Sequence, residues 1–474
     1  MWRQKSLTFA MLIIATALIL RTAFLSRMEF KSDERTSATI IRSLKMMPFT
    51  FTAPEVSEHS GIRHPSGFYY FTRILAPDPA RPLDIALAIA LFNTLAIALA
   101  ALAHLPLFAL MCATSTALVL GSRKIWPPDL VAPWMIISIT LIETALRAET
   151  GGKTRLRLSR AAAAAAGLSL WLGAHMYLAG ALVAMIGTIA FFIALRLRRS
   201  RAVPAFAFGA VAGAASLLPY AFAVRQDIAM LAARINPSLL GRALGSAISS
   251  ASPLDFYMLY LMPESWKILN AGGVAAVLAY LATSAAIVLW CALMGGAFFS
   301  AIRPGPPAYR EILSSPSALA ALALLAVFPC ALSVAGLGNH LHYWFGVMPF
   351  SYYLVSWIQP RAGATLKRLF TFLIAAGCIF SFIATSCVLV LVYQLDGLPG
   401  EYGPAKQRTQ VQNALQTVPR FKDCKSMSAR CRPRKRCLHT TRDKAACESH
   451  ANADPRLFFF PSLFCRTPCH RLRS

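Results

Sequence analysis

Two adjacent carboxylates, Asp33 and Glu34, stand a few residues beyond the first long apolar run of the chain. A carboxylate at a water–membrane boundary can serve as a general base toward a hydroxyl. At the centre of a bilayer it would cost on the order of 3 kcal/mol, so the pair belongs at or beyond the interface. A plainer role competes with this one. The stretch "SDERTSATIIRSL" has apolar residues at helical spacing after Ser32, an N-cap candidate, and acids in a first turn are favoured by the helix dipole.

Three further pieces carry polar chemistry. In "GIRHPSGFYYF", residues Gly61 to Phe71, His64 precedes a proline and an aromatic cluster. This reads either as a rigid polar turn above an interfacial aromatic belt or as a histidine directed at a substrate hydroxyl or phosphate. In "GSRKIWPPD", Arg123 and Lys124 occupy a short connector that the charge pattern places outside. Binding an anionic headgroup would explain them there, and so would snorkelling. In "GNHLHYW", His340 and His342 lie two apart, followed by Tyr343. That spacing admits a divalent metal, but no acid or cysteine at recognisable spacing completes a ligand set, and a polar contact to a sugar or phosphate fits better. No metal residue is assigned and no cofactor is named, with a divalent metal left open as an alternative.

The elements that must position these residues are membrane helices. The chain has 474 residues, 57% hydrophobic and only 14% charged, and apolar runs long enough to cross a bilayer recur along it. Spans are expected near 7–25, 83–103, 105–121, 130–147, 161–176, 178–195, 203–223, 271–300, 316–336, 341–358 and 368–393, about eleven in all. The expected fold is therefore an all-α, polytopic transmembrane bundle. The first run follows Arg3 and Lys5 without a small-residue cleavage site and reads as a retained signal-anchor.

A net charge of +27 would suit a nucleic-acid binder, but the basic residues sit mostly in short connectors and the tail. The positive-inside rule explains many of them, and no nucleic-acid partner is expected. The same rule splits the run between Arg160 and Arg196 into two short spans, because "RAETGGKTRLRLSR" and "RLRRSR" then both face inward. With the N-terminus inside, segments 26–82, 122–129, 224–270 and the turn near 337–342 all fall outside. The long first loop, 26–82, is expected to carry short interfacial helices, and 224–270 mixes amphipathic stretches with interfacial aromatics.

These four pieces, in this order, resemble the bacterial members of the GT-C superfamily of membrane glycosyltransferases. The likeness is to glycosyltransferase family 39, the dolichyl-phosphate-mannose protein mannosyltransferases, and to the aminoarabinose transferases of lipid A. "FKSDERTSA" matches the acidic pair of the first external loop, "RHPSGFYYF" the His-Pro-aromatic stretch and "SRKIWPPD" the basic connector. "HYWFGVMPFSYYL" matches an aromatic-proline span, and the likeness covers roughly residues 5–410. Ser66-Gly67 replace the second proline usual after His-Pro, and the middle of the chain matches only in hydropathy.

The resemblance implies transfer of a sugar from a polyprenyl-phosphate carrier to a lipid, glycan or protein acceptor outside the cytoplasm, with inversion. It implies a multi-pass protein of the bacterial inner membrane with a periplasmic active site among membrane lipids. Asp33 would be the base and Glu34 a supporting acid, with Arg123 and Lys124 on the phosphate and His64, His340, His342 and Tyr343 as further substrate contacts. The rivals are a secondary transporter or flippase of a lipid-linked or anionic substrate, and a lipid-linked oligosaccharide polymerase or ligase. Transporters show two similar halves, which are not seen here, and the polymerases place their long loop late.

The expected organisation is a transmembrane domain over 1–400, a short external segment over 401–423 and a Cys/Arg-rich tail over 424–474. Six of the eleven cysteines crowd into that tail, whereas Cys112, Cys291, Cys330, Cys378 and Cys387 lie singly in apolar runs. The tail reads as a disulfide-linked external module or as the product of a shifted reading frame. The second origin predicts a natural product whose intact mass departs from that of all 474 residues, and a matching mass would establish the tail as genuine.

Overall fold

The computed structural model describes residues 2–27, 32–44, 49–56, 62–150, 152–232, 236, 265–302, 311–335 and 341–395. His340, the aromatic stretch 252–264 and everything from 396 onward, including the Cys/Arg-rich tail, lie outside the described residues.

The chain is a multi-pass membrane protein built as a helical bundle. Among the described residues eight helical stretches are long and apolar enough to cross a membrane: 6–27, 82–102, 127–148, 178–197, 203–223, 267–300, 316–334 and 364–394. Three other expected spans are helical but do not meet that standard alone, each for a visible reason. The run 105–121 is broken into α5 (Pro106–Thr114) and α6 (Thr116–Gly121). Helix α8 (Lys153–Met176) opens with two basic turns. The run 341–358 divides into α15 (Leu341–Trp344) and α16 (Met348–Ile358).

The remaining long elements are α1 (Trp2–Thr22), α4 (Pro82–Leu102), α7 (Val131–Ala148), α9 (Leu178–Leu197), α10 (Val203–Ser216), α13 (Ser265–Ile302), α14 (Pro316–Val334) and α17 (Ala364–Gln394), with the short α11 (Leu218–Ala223) and α12 (Arg225–Ala232) following α10. Proline at first-turn positions, where no backbone donor is lost, starts α4, α5 and α14. Helix α13 is interrupted at Gly273, whose φ of 53° only glycine adopts readily. The expected division of the run between Arg160 and Arg196 is present. It falls at Tyr177, whose extended backbone (φ −154°, ψ 143°) separates α8 from α9.

Between α1 and α4 the long first loop folds into α2 (Ser32–Ser43), a two-stranded antiparallel hairpin of β1 (Thr52–Val56) and β2 (Arg63–Pro65), and α3 (Gly67–Leu75). Helix α2 was legible from spacing: Glu34, Ser37, Ala38 and Ile41 are its buried face, and Asp33, Arg35 and Thr36 are exposed. The hairpin was not anticipated.

Packing sorts each helix into a lipid face and a protein face. On α4, Leu91, Leu95, Leu99 and Leu102 form an exposed stripe, while Ile85, Ile89, Asn93 and Ile97 are buried. Small residues allow the closest crossings. Helix α10 lies on α8 so tightly that a Cβ at Gly209 would run into the Ala164 carbonyl, and one at Gly167 would sit 2.5 Å from the Phe206 oxygen.

The break between α5 and α6 would strand backbone carbonyls in an apolar interior. Arg21, fully buried in the last turn of α1, meets them: Nη2 donates to Cys112 O at 3.1 Å and Nη1 to Ala113 O at 3.2 Å. On the far side of the break Ser115 Oγ accepts from Leu118 N and bonds Tyr352 Oη at 2.8 Å. Arg123 then reaches back, its Nη1 donating to Leu20 O at 3.0 Å. Two buried arginines thus tie the end of α1 to α5 and α6. Replacing Gly209 by valine should cost about 1–3 kcal/mol by forcing α10 off α8. Thermal denaturation in detergent would show it, and a variant as stable as the parent would contradict this crossing.

Candidate active site

Segments far apart in sequence converge at one end of the bundle: the start of α2, strand β2, the α8–α9 junction, the connector from α6 to α7, and α15. Their side chains form a chain of contacts. The His64 ring lies 5.2 Å from Tyr177, and Tyr177 lies 5.7 Å from His342 and 6.1 Å, stacked, from Tyr343. His342 meets Tyr343 at 4.3 Å and Trp126 at 4.7 Å. Lys124 Nζ stands 5.7 Å over the Trp126 ring. The circuit closes through charge: Asp129 feels Lys124 and, more weakly, Glu34, and Asp33 acts on His64.

Each member is held by its own element. Arg73 Nη1 donates to Ile41 O and fastens the last turn of α2 to α3, which steadies the helix carrying Asp33 and Glu34. Strand β2 is fixed from both sides. Arg63 pairs with Asp227 at 3.5 Å and donates to Ala223 O, and Tyr220 Oη donates to Arg63 O at 2.7 Å. Ser66 Oγ donates to Thr50 O at 2.6 Å on the opposite strand side. The close approach at Gly67, where a Cβ would lie 2.5 Å from His175 O, brings His64 against the α8–α9 junction.

The acid pair divides its labour. Glu34 is buried and Asp33 exposed, so only the second is open to an acceptor from water. His64 is 8% exposed, and burial pushes its imidazole down to about 4, with Asp33 partly opposing. It is therefore neutral near pH 7, and its buried Nδ1 has no hydrogen-bond partner among the described residues. The two basic residues also differ. Arg123 is fully buried with one edge bonded to the α1 terminus, whereas Lys124 reaches into the ring beside Trp126.

Sequence reasoning missed three members. Tyr177 is the hub of the aromatic contacts, signalled only by the helix break. Trp126 links Lys124 to His342. Asp129, 2% exposed, sits in a 3-10 turn (Pro127–Leu130) whose backbone is held by Asn93 Nδ2 donating to Asp129 O at 3.2 Å. Neither oxygen of its carboxyl has a well-formed hydrogen bond among the described residues, and the Trp126 backbone is the smallest of the influences on it. An acid at the mouth of an apolar span is costly, and that cost was its sequence signal. Among the described residues no group of three or more His, Cys, Asp or Glu side chains could hold a metal ion.

No family model matches the chain, and no curated protein matches it. Three solved structures are similar. One is the archaeal oligosaccharyltransferase AglB from Archaeoglobus fulgidus in complex with an inhibitory peptide and a dolichol-phosphate. Its identity is 15%, with 81% of this chain and 56% of that chain covered and a TM-score of 0.45. The second is ArnT from Cupriavidus metallidurans bound to undecaprenyl phosphate, at 12% identity, 83% and 77% coverage and a TM-score of 0.45. The third is the Archaeoglobus fulgidus oligosaccharyltransferase tethered to an acceptor peptide, at 14% identity, 89% and 58% coverage and a TM-score of 0.46. This chain spans little more than half the length of the two oligosaccharyltransferase chains, and likeness of this degree assigns it no activity.

The buried neutral His64 has a consequence for stability. Between about pH 6.5 and 4 the unfolded chain takes up a proton that the folded one refuses, so stability falls as pH drops through that window. The loss should approach about 3 kcal/mol by pH 4. Denaturation curves across this range should show His64→Gln with a shallower acid limb, and an unchanged limb would refute the assignment.

Proposed function

We propose that the chain is a membrane glycosyltransferase that moves a sugar from a polyprenyl-phosphate carrier to a lipid, glycan or protein acceptor, inverting the anomeric centre. The observation that carries this reading is the meeting of an exposed carboxylate, a neutral histidine, a lysine and an aromatic wall at one end of a membrane bundle. Transfer from a lipid-phosphate sugar calls for a base toward the acceptor and a cation near the leaving phosphate, and the histidine and rings suit the sugar between them. The positive-inside pattern supports an orientation with this end outside the cytoplasm, which in a bacterial inner membrane is the periplasmic side.

Asp33 takes the proton of the acceptor hydroxyl as its oxygen attacks the anomeric carbon from the side opposite the phosphate. The bond from that carbon to the phosphate oxygen breaks, and the lipid phosphate departs as a stable anion, so no general acid is required. Lys124, with Arg123 behind it, stabilises the charge that gathers on the leaving phosphate. Glu34 and Asp129 lie within electrostatic reach of each other, and Lys124, which also acts on Asp129, counters the negative charge there. The rings of Tyr177, His342 and Tyr343 offer a wall for the apolar face of a sugar, and His64 offers a neutral hydrogen-bonding nitrogen.

Asp33→Asn should lower transfer by at least 10²-fold while leaving the protein inserted and folded. The assay uses purified protein with a panel of undecaprenyl-phosphate-linked sugars, the active one chosen by glycan and lipid profiling of a deletion strain. Full activity in the purified variant would sink the base assignment. A deletion that changes solute or lipid flux without altering any glycan would favour the transporter reading instead.

A further inference from the structure

The largest uncompensated charge among the described residues lies at the end of the bundle opposite the acid pair. Helices α8 and α9 form a hairpin about Tyr177, so the start of α8 and the end of α9 lie together at its open end. Lys153, Arg155 and Arg157 are exposed on the first turns of α8, and Arg198, Arg199 and Arg201 are exposed just beyond α9. None of the six pairs with a carboxylate among the described residues. The acid at their centre, Glu149, is committed elsewhere: Oε2 accepts from Ser200 Oγ at 2.9 Å and Oε1 accepts from the Arg201 backbone N–H.

Depth places the charges at the headgroups. Helix α9 has 20 residues, about 30 Å at 1.5 Å per residue, which is one hydrocarbon thickness. Helix α8 is four residues longer, so its first turn extends past that layer. A count of basic residues is enough to orient a protein in a membrane, but it does not call for the geometry of Arg199. Helix α9 ends with Arg199 N–H on Arg196 O at 2.9 Å and Ser200 N–H on Leu195 O at 2.9 Å, the pattern in which the intervening residue is left-handed and usually glycine. Arg199 holds φ at 54° there. A cationic side chain is presented at a position where its backbone is disfavoured, and Glu149 holds the following two residues in place.

We propose that this patch is a binding site for anionic phospholipid headgroups, with the phosphodiesters of a lipid such as phosphatidylglycerol accepting from the unpaired guanidinium groups of Arg155, Arg157, Arg198 and Arg199. Charge complementarity at headgroup depth carries the assignment. The site is independent of the transfer chemistry at the other end, and lipid bound there acts as a counterion that fastens the α8–α9 hairpin to one leaflet.

The test uses the purified full-length chain in nanodiscs of phosphatidylcholine with and without phosphatidylglycerol. Phosphatidylglycerol should raise Tm by at least a few degrees, and high salt should reduce the increment. The Arg155→Gln/Arg157→Gln/Arg198→Gln/Arg199→Gln variant should lose most of it. Arg199→Gly keeps the topology-setting charges nearly intact; it should raise Tm in phosphatidylcholine alone, by relieving the backbone, and still shrink the phosphatidylglycerol increment. No response in the parent protein overturns the proposal, as does an undiminished increment in both variants. An equal shift from soluble poly-glutamate would assign the patch to an acidic protein partner and overturn it as well.

Discussion

A bilayer interior supplies no hydrogen-bond partners, so a helix can break inside it only where the protein supplies them. The chain breaks the apolar helical run 105–121 at Ser115, and the guanidinium of Arg21 takes up the Cys112 and Ala113 carbonyls that the break releases. Much of the site geometry depends on this contact. Arg21 closes α1, the helix from which the loop bearing Asp33 departs, and α6 begins at the break and leads directly to Arg123, Lys124 and Asp129. Arg123 returns the tie to Leu20. The acid pair and the basic connector are therefore registered against each other by two cations bonded to main-chain oxygens.

The cluster shows how a small number of charges can be kept in an apolar scaffold. Lys124 lies within reach of Asp129, and Glu34 lies near enough to be felt there, so the lysine offsets part of the cost of burying these acids. Asp33 stays exposed and His64 stays neutral, so the two groups best suited to handling a hydroxyl carry no large desolvation debt of opposite sign. Aromatic rings rather than aliphatic side chains fill the space between them. A ring offers a flat apolar surface with a polar edge, which suits a sugar better than a leucine wall.

The two ends of the bundle are electrostatically unlike. One end gathers acids, histidines and a buried lysine; the other presents exposed arginines that pair with no carboxylate among the described residues. Helices α8 and α9 connect them. Their junction at Tyr177 belongs to the aromatic cluster, and their open end belongs to the basic patch, so the hairpin is anchored by ring packing at one interface and by charge at the other.

Hydropathy alone was enough to determine that the chain crosses a membrane repeatedly, because about twenty consecutive apolar residues have few other uses. Charge in the connectors divided the run between Arg160 and Arg196, and helical spacing after Ser32 revealed α2 with its buried stripe. Those features are local, and local rules find them. Asp129 was visible only as the end of a connector, and Tyr177 only as a residue near a break. Their partners lie on other helices, and no periodicity within a segment encodes which helix ends meet. The same holds for the separation of Glu34 from Asp33 by burial and for the loss of one edge of Arg123 to Leu20. Only packing of whole helices decides which of two neighbouring side chains faces protein and which faces water.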